Sequence, residues 1–214
     1  MEIFIKNLLS EQCGQQNIHT PFELCRTMIV EANEYVGFRE KQIAILFNVE
    51  FLHVFVKDYE IPSQQITIFV DYKREFEFCR MAYGMVPDVN LFYIDMENTI
   101  KEDGLYTTTG GRVMKKFDVI LMNPPYQSKS EQGRTHPLWH KFVSKSIELC
   151  GNGGYVVNVH PSGWRNVDGK FKEIQQLLKS KQMLYLEMHH FQEGQKVFGV
   201  AIDFDWHRSS LVIC

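Results

Sequence analysis

The sequence predicts an α/β fold: a mostly parallel, twisted sheet with helices on both faces and a reversed antiparallel strand near the C-terminus. Three observations carry this expectation. Short continuous apolar runs at residues 42–46, 66–70, 89–94 and 117–122 read as strands buried on both faces. Segments of helical or crossover length separate them, the pattern that builds parallel βαβ units. The final run breaks the pattern, because Val200, Ile202, Phe204 and Trp206 alternate with Ala201, Asp203, Asp205 and His207. A period of two fits an antiparallel strand with one solvated face, and Asp203 and Asp205 are expected on that face.

Residues 1–19 form a lead-in without a clear assignment, and residues 20–214 read as a single domain. Thr20-Pro21-Phe22-Glu23 predicts a helix start, with Thr20 as N-cap, proline at the first helical position and an acid three residues after the cap. Phe22, Cys25, Met28, Ile29, Ala32 and Val36 recur at helical spacing and Gly37 closes the element. A strand at 42–46 leads into a short helix to Val56, the strand at 66–70 ends in Asp71, and a helix over 73–83 stops at Gly84. The third strand, 89–94, ends in Asp95; Gly110-Gly111 marks a surface turn over 107–112. Beyond the fourth strand, residues 127–137 are polar and aperiodic, which predicts a loop. A helix over 138–150, a strand over 155–159, a helix over 171–178 and a strand over 183–188 complete the order.

Composition narrows the function classes. The chain has 214 residues, 44% of them hydrophobic, enough for a sizeable core without staples. Cys13, Cys25, Cys79, Cys150 and Cys214 show no metal-binding spacing, which points to a reduced, cytoplasmic setting. His189, His190 and His207 have no carboxylate or cysteine at ligand spacing, so no metal site is expected. No apolar run reaches membrane-spanning length, and the first nine residues lack a signal-peptide core. A net charge of −3 supplies no global attraction to nucleic acid, so contacts to DNA must come from a local cluster.

The fourth strand runs directly into Asn123-Pro124-Pro125-Tyr126. An exocyclic amine or an amide nitrogen is a poor nucleophile because its lone pair is delocalised, and fixed hydrogen-bond acceptors draw that lone pair out of conjugation. Asn123 offers a side-chain carbonyl and Pro124 a backbone carbonyl, on a chain stiffened by consecutive prolines. Tyr126 offers a flat face for an extruded planar group. Ligands of open α/β sheets sit beyond the carboxyl ends of the strands, where this tetrapeptide falls. The plainer explanation is a turn of Asn and Pro after a strand. Lys129, Arg134 and His136 in the following segment, and Trp164-Arg165, are candidates for contacts to substrate or phosphate, with solvated-loop and packing roles as the alternatives.

Taken together, residues 18–207 resemble the S-adenosylmethionine-dependent adenine-N6 DNA methyltransferases, particularly the methylases of restriction-modification enzymes. Residues 117–126 carry the resemblance most specifically; Thr20-Pro21, Leu138-Trp139, Gly153-Gly154-Tyr155 and Pro161-Ser162-Gly163-Trp164-Arg165 support it. The resemblance implies a Rossmann-like methyltransferase fold and methyl transfer from S-adenosylmethionine to the N6 amino group of a flipped adenine. It places Asn123, Pro124, Pro125 and Tyr126 in catalysis. It places Asp71 at the cofactor ribose, Asp95 at its adenine, and Asn48, Glu50, Thr20 and Pro21 around the same ligand. Double-stranded DNA is the implied partner.

The chain departs from that family at the turn after the first strand, which reads Phe47-Asn48-Val49-Glu50-Phe51, with no glycine between Gly37 and Gly84. Backbone access for the cofactor normally needs glycine there. No long target-recognition region follows the reversed strand, so a second subunit or a homodimer is a candidate source of sequence specificity. Two alternatives therefore stand beside the enzyme: a catalytically inactive methylase-like subunit that binds DNA or a partner, and a protein glutamine-N5 methyltransferase, which also uses Asn-Pro-Pro-Tyr.

Overall fold

The computed structural model describes residues 1–5, 20–129, 135–166, 168–198 and 203–210. Most of the lead-in, Arg134, Val200 and Ile202 lie outside the described residues. Among those described, β1 (Ile43–Leu46), β2 (Ile66–Val70), β3 (Leu91–Tyr93), β4 (Phe117–Met122), β7 (Cys150–Pro161), β8 (Gln182–His189) and β9 (Phe204–Ser210) form one sheet in the order β3-β2-β1-β4-β7-β9-β8. The pairs among β3, β2, β1, β4 and β7 are parallel, and β9 runs antiparallel to both β7 and β8. The reversed strand is last in the chain but interior in space, and β8 is the edge.

The apolar runs lack alternation because both faces of the sheet are covered. Ile43, Ile45, Ile68, Val70, Val119, Leu121, Val157 and Val159 pack on one face under helices α1 (Phe22–Val36), α2 (Val49–Lys57) and α3 (Lys73–Tyr83). Ala44, Leu46, Phe69, Ile120, Met122 and Val156 face the other layer, which includes α5 (Trp139–Leu149) and α6 (Lys172–Lys179). The short helix α4 (Met96–Lys101) follows β3, and α7 (Phe191–Phe198) lies between β8 and β9. Burying each large aliphatic side chain in these layers contributes about 1.5–3 kcal/mol, which offsets the ordering of the backbone.

Four expectations need correction. Thr20 does not cap α1: the helix begins at Phe22, Pro21 holds the extended capping position, and no side chain caps it. The Thr20 hydroxyl instead accepts from the side chains of Asn48 and Asn123. The segment 127–137 is not a plain loop, because β5 (Gln127–Lys129) and β6 (Thr135–Pro137) pair antiparallel, Ser128 opposite His136. Backbone pairing overrides the absence of apolar periodicity there. Asp205 is fully buried rather than solvated, accepting from Trp164 Nε1 at 2.9 Å and lying 3.2 Å from Arg165 Nε. Finally, His189 does have carboxylates beside it: Glu187 on the same strand at 3.3 Å and Glu193 in α7 at 3.4 Å.

The start of β7, where its register against β4 shifts, contains Gly153 and Gly154. Gly153 has φ +74°, and a Cβ on Gly154 would stand 2.8 Å from the Asp118 carbonyl oxygen. That close approach brings β7 alongside β4 and aligns Asn158 with Met122 at the carboxyl end of the sheet.

Candidate active site

The carboxyl ends of β1, β2, β3 and β4 carry Asn48, Asp71, Asp95 and Asn123 to one end of the sheet, whereas Trp164 and Arg165 follow β7 and His136 lies on the β5–β6 hairpin. Asn123 follows β4 and is 3% exposed; Pro124, Pro125 and Tyr126 are buried behind it. The Asn123 backbone N–H donates to Asn48 Oδ1 at 2.6 Å, and Asn123 Nδ2 donates to Thr20 Oγ1 at 3.0 Å. Asn48 Nδ2 reaches the same hydroxyl at 3.4 Å. These bonds join three chain segments and orient the Asn123 amide, making Oδ1 its acceptor end. Asn48 and Thr20 are as buried as Asn123, so the network is shielded from water.

Tyr126 is 4% exposed and shares an apolar layer with Phe47, Leu138, Trp139 and Phe142. Its hydroxyl has no hydrogen-bond partner among the described residues, and burial pushes the phenol well above its ordinary pKa. Its backbone carbonyl accepts from Leu138 N–H at 2.8 Å, which ties the start of the β5–β6 hairpin to the start of α5. His136 lies exposed on that hairpin.

The turn between β1 and α2 is only Phe47-Asn48. Phe47 adopts φ +68°, the left-handed conformation that favours glycine, with its ring buried and edge-on to Phe142 at 4.8 Å. Val49 and Phe51 are fully buried in the core, so they serve as scaffold. The backbone shape a glycine would permit is thus present, but a phenylalanine supplies it.

Acidic groups gather beside this turn. Glu50 lies in the first turn of α2 and is 2% exposed; Asp71 directly follows β2. Asp95 caps α4, accepting from Asn98 N–H at 3.1 Å and Asn98 Nδ2 at 2.8 Å. Sequence reasoning missed Glu75, which occupies the buried stripe of α3 with Cys79 and Tyr83. The signal was available: an acid four residues after Asp71, on the face that its i+4 and i+8 neighbours bury. Burial pushes the Glu75 carboxyl well above its ordinary pKa, and Asp71 and Glu50 add to the rise; Glu75 Oε2 has no hydrogen-bond partner among the described residues. Carboxylates at this place are acceptors for a ligand that brings hydroxyl and ammonium donors, so the residue types fit the ribose and amino groups of a nucleoside-amino-acid cofactor.

Further along, the Trp164 ring is 6% exposed and its N–H is donated to Asp205, while Arg165 reaches Asp205 from outside. His160 is fully buried and stacks on Trp139 at 4.7 Å; burial lowers its pKa to about 4. Asn158, also fully buried on β7, has no partner for either side-chain polar atom among the described residues.

Residues 87–198, more than half of the chain and including the whole Asn-Pro-Pro-Tyr strand, match the family described as Eco57I restriction-modification methylase. The chain belongs to that family. No curated protein sequence matches it. Among solved structures, a class I S-adenosylmethionine-dependent methyltransferase from Listeria monocytogenes aligns over 96% of this methylase-family chain and 65% of its own length. The identity is 11% and the TM-score 0.66. The methyltransferase subunit of a type I restriction-modification system from Streptococcus thermophilus covers 91% of the chain, with 16% identity and a TM-score of 0.61, over 45% of its own length. A DrdV–DNA complex aligns over 90% of the chain and 26% of the DrdV chain, at 12% identity and a TM-score of 0.62. These likenesses establish the methyltransferase fold. The chain spans less than two thirds of the length of each of these neighbours. No helix among the described residues is long and apolar enough to cross a membrane.

Proposed function

We propose that this methylase-family chain transfers a methyl group from S-adenosylmethionine to the N6 amino group of an adenine extruded from double-stranded DNA. The observation that carries the proposal is the fixed Asn123: its amide is oriented by Thr20 and its backbone by Asn48, at the end of the strand inside the family match. In this reading Asn123 Oδ1 and the Pro124 carbonyl accept the two amine hydrogens and localise the nitrogen lone pair. Pro125 holds the backbone in place, and the Tyr126 ring stacks on the base once the apolar layer opens to admit it. Asp71 and Glu50 hold the ribose and amino end of the cofactor, Asp95 its adenine, and the Thr20-Pro21 corner closes the site. The bound cofactor supplies an electrophilic methyl group on sulfonium. Lys129, Arg134, His136, Trp164 and Arg165 are the groups available for DNA. The type I subunit and DNA-complex neighbours support DNA and a second subunit as partners.

A second reading is favoured by two observations: Thr20, Asn48 and Asn123 already bond to one another, and the β1–α2 turn lacks glycine. An inactive subunit that lends its fold to a partner methylase would show both. The two readings separate in a labelled methyl-transfer assay on adenine-containing DNA, with a glutamine-containing peptide as control. Enzyme activity predicts label in DNA for the wild type and its loss in Asn123→Ala with the fold intact. Equal incorporation by that variant removes Asn123 from the mechanism, and no incorporation by the folded wild type favours the inactive subunit.

A further inference from the structure

A single 3-10 turn, Ser162–Arg165, follows β7. β7 and β4 are neighbours, with Asn158 level with Met122, so this turn and the Asn123 tetrapeptide leave adjacent strands at the same end of the sheet. The turn is held from three sides. Gln175 Nε2 of α6 donates to the carbonyls of Trp164 at 2.9 Å and Arg165 at 3.3 Å. A Cβ on Gly163 would stand 2.9 Å from the Phe171 ring. Trp164 Nε1 donates to Asp205 Oδ2, the same oxygen that Arg165 Nε approaches at 3.2 Å. Strand register sets Asp205 between His160 of β7 and Met188 of β8, and Arg165 lies along that row, with Nη1 3.4 Å from Met188 Sδ.

Two features set this arginine apart from Arg26, whose Nε, Nη1 and Nη2 are taken by Asp58, Glu23 and Glu2. Asp205 Oδ1 has no hydrogen-bond partner among the described residues, so the pair is not the two-bond fork of a closed arginine–carboxylate bridge. The acid is fully buried whereas the Arg165 side chain is 34% exposed, so the guanidinium is gripped by Nε from the protein side and its remaining edge lies at the surface. Met188 Sδ, its other neighbour, is a weak and neutral acceptor. A guanidinium fixed by Nε presents Nη1 and Nη2 as donors to the oxygens of a phosphodiester, and much of its ordering precedes binding. We propose that Arg165 clamps a backbone phosphate of DNA beside the extruded base, with Asp205 as the positioning residue that aims it. The proposal rests on the DNA reading above and adds to it a residue that never touches DNA. Trp164 serves from beneath, as the second donor that keeps Asp205 in place.

The test is fluorescence anisotropy of a labelled, adenine-containing DNA duplex titrated with the full chain across about 50–200 mM potassium chloride. Arg165→Ala should weaken binding about tenfold at the low-salt end and lower the slope of log affinity against log salt by about 0.9, the share of one phosphate. Arg165→Lys keeps the charge but lacks the rigid fork that joins Asp205 to a phosphate. Its salt slope should stay near that of the wild type while its affinity stays severalfold lower. Asp205→Asn keeps an acceptor for Trp164 and should also weaken binding severalfold, and adding it to Arg165→Ala should cost nothing more. An acid that merely cancels the arginine predicts the opposite sign, tighter binding by Asp205→Asn. That result, full affinity in Arg165→Lys, or an unchanged salt slope in folded Arg165→Ala overturns the inference and leaves DNA binding standing. Should Asp205→Asn fail to fold, the lysine variant decides alone. No binding of the duplex by folded wild type overturns both the inference and the DNA reading.

Discussion

The backbone N–H of Asn123 donates to the side-chain carbonyl of Asn48 at 2.6 Å, so the residue just before α2 positions the residue just after β4. The two stand 75 positions apart in sequence and both are buried. Asn48→Ala leaves a buried N–H without its acceptor and is expected to cost about 1–3 kcal/mol. Asn48→Asp keeps an acceptor and should lose less. Denaturant unfolding of the two variants checks the order, and an alanine variant as stable as wild type would show that the bond contributes nothing net.

Phe47 combines a left-handed backbone with a buried ring. Truncation to alanine removes the packing against Phe142 and is expected to cost about 3–5 kcal/mol. Glycine loses the same ring but relieves the conformational cost, so Phe47→Gly should be the more stable of the two by about 1 kcal/mol. Alanine equal to or better than glycine would contradict the positive φ.

His160 is held neutral by burial, with a folded pKa of about 4 against an ordinary value of 6.5. Because the folded value is depressed, the unfolded chain binds the extra proton between those two values. Stability is therefore full above pH 6.5 and falls as pH drops toward 4, by about 3 kcal/mol for this group. His160→Phe, which retains an aromatic face for Trp139, should lose that part of the acid sensitivity. Identical pH dependence in the two proteins would remove His160 from the account.

Asp205 depends on Trp164 for a buried donor. Trp164→Phe keeps an aromatic ring but strands the carboxylate with Arg165, and should cost about 1–3 kcal/mol. Arg165→Ala should cost less, since that pair is partly solvated. Equal losses in the two variants would indicate that the indole bond is not the main support of Asp205.

The fold was legible where one physical signal dominated. Continuous apolar runs located the parallel strands, and Gly37 and Gly84 marked helix ends that the structure places at the same residues. Legibility failed where tertiary partners override local preference. Thr20 looked like a cap and is instead a shared acceptor for two distant amides. Asp205 sat in an alternating strand and looked solvated, but β9 lies between β7 and β8, and Trp164 reaches across to the carboxylate. The β5–β6 hairpin has no apolar face to announce it. At the site, Asn123 was readable from its motif, whereas the contacts that orient it required the fold. Glu75 showed the spacing of a core position but not the company of Asp71 and Glu50.

The most direct measurement is nucleoside mass spectrometry of double-stranded DNA after incubation with the purified chain and S-adenosylmethionine. The account predicts N6-methyladenine in the wild-type reaction and its absence with Asn123→Ala. A wild-type protein that is folded and binds the cofactor, yet leaves adenine unmodified or methylates another base, would contradict it.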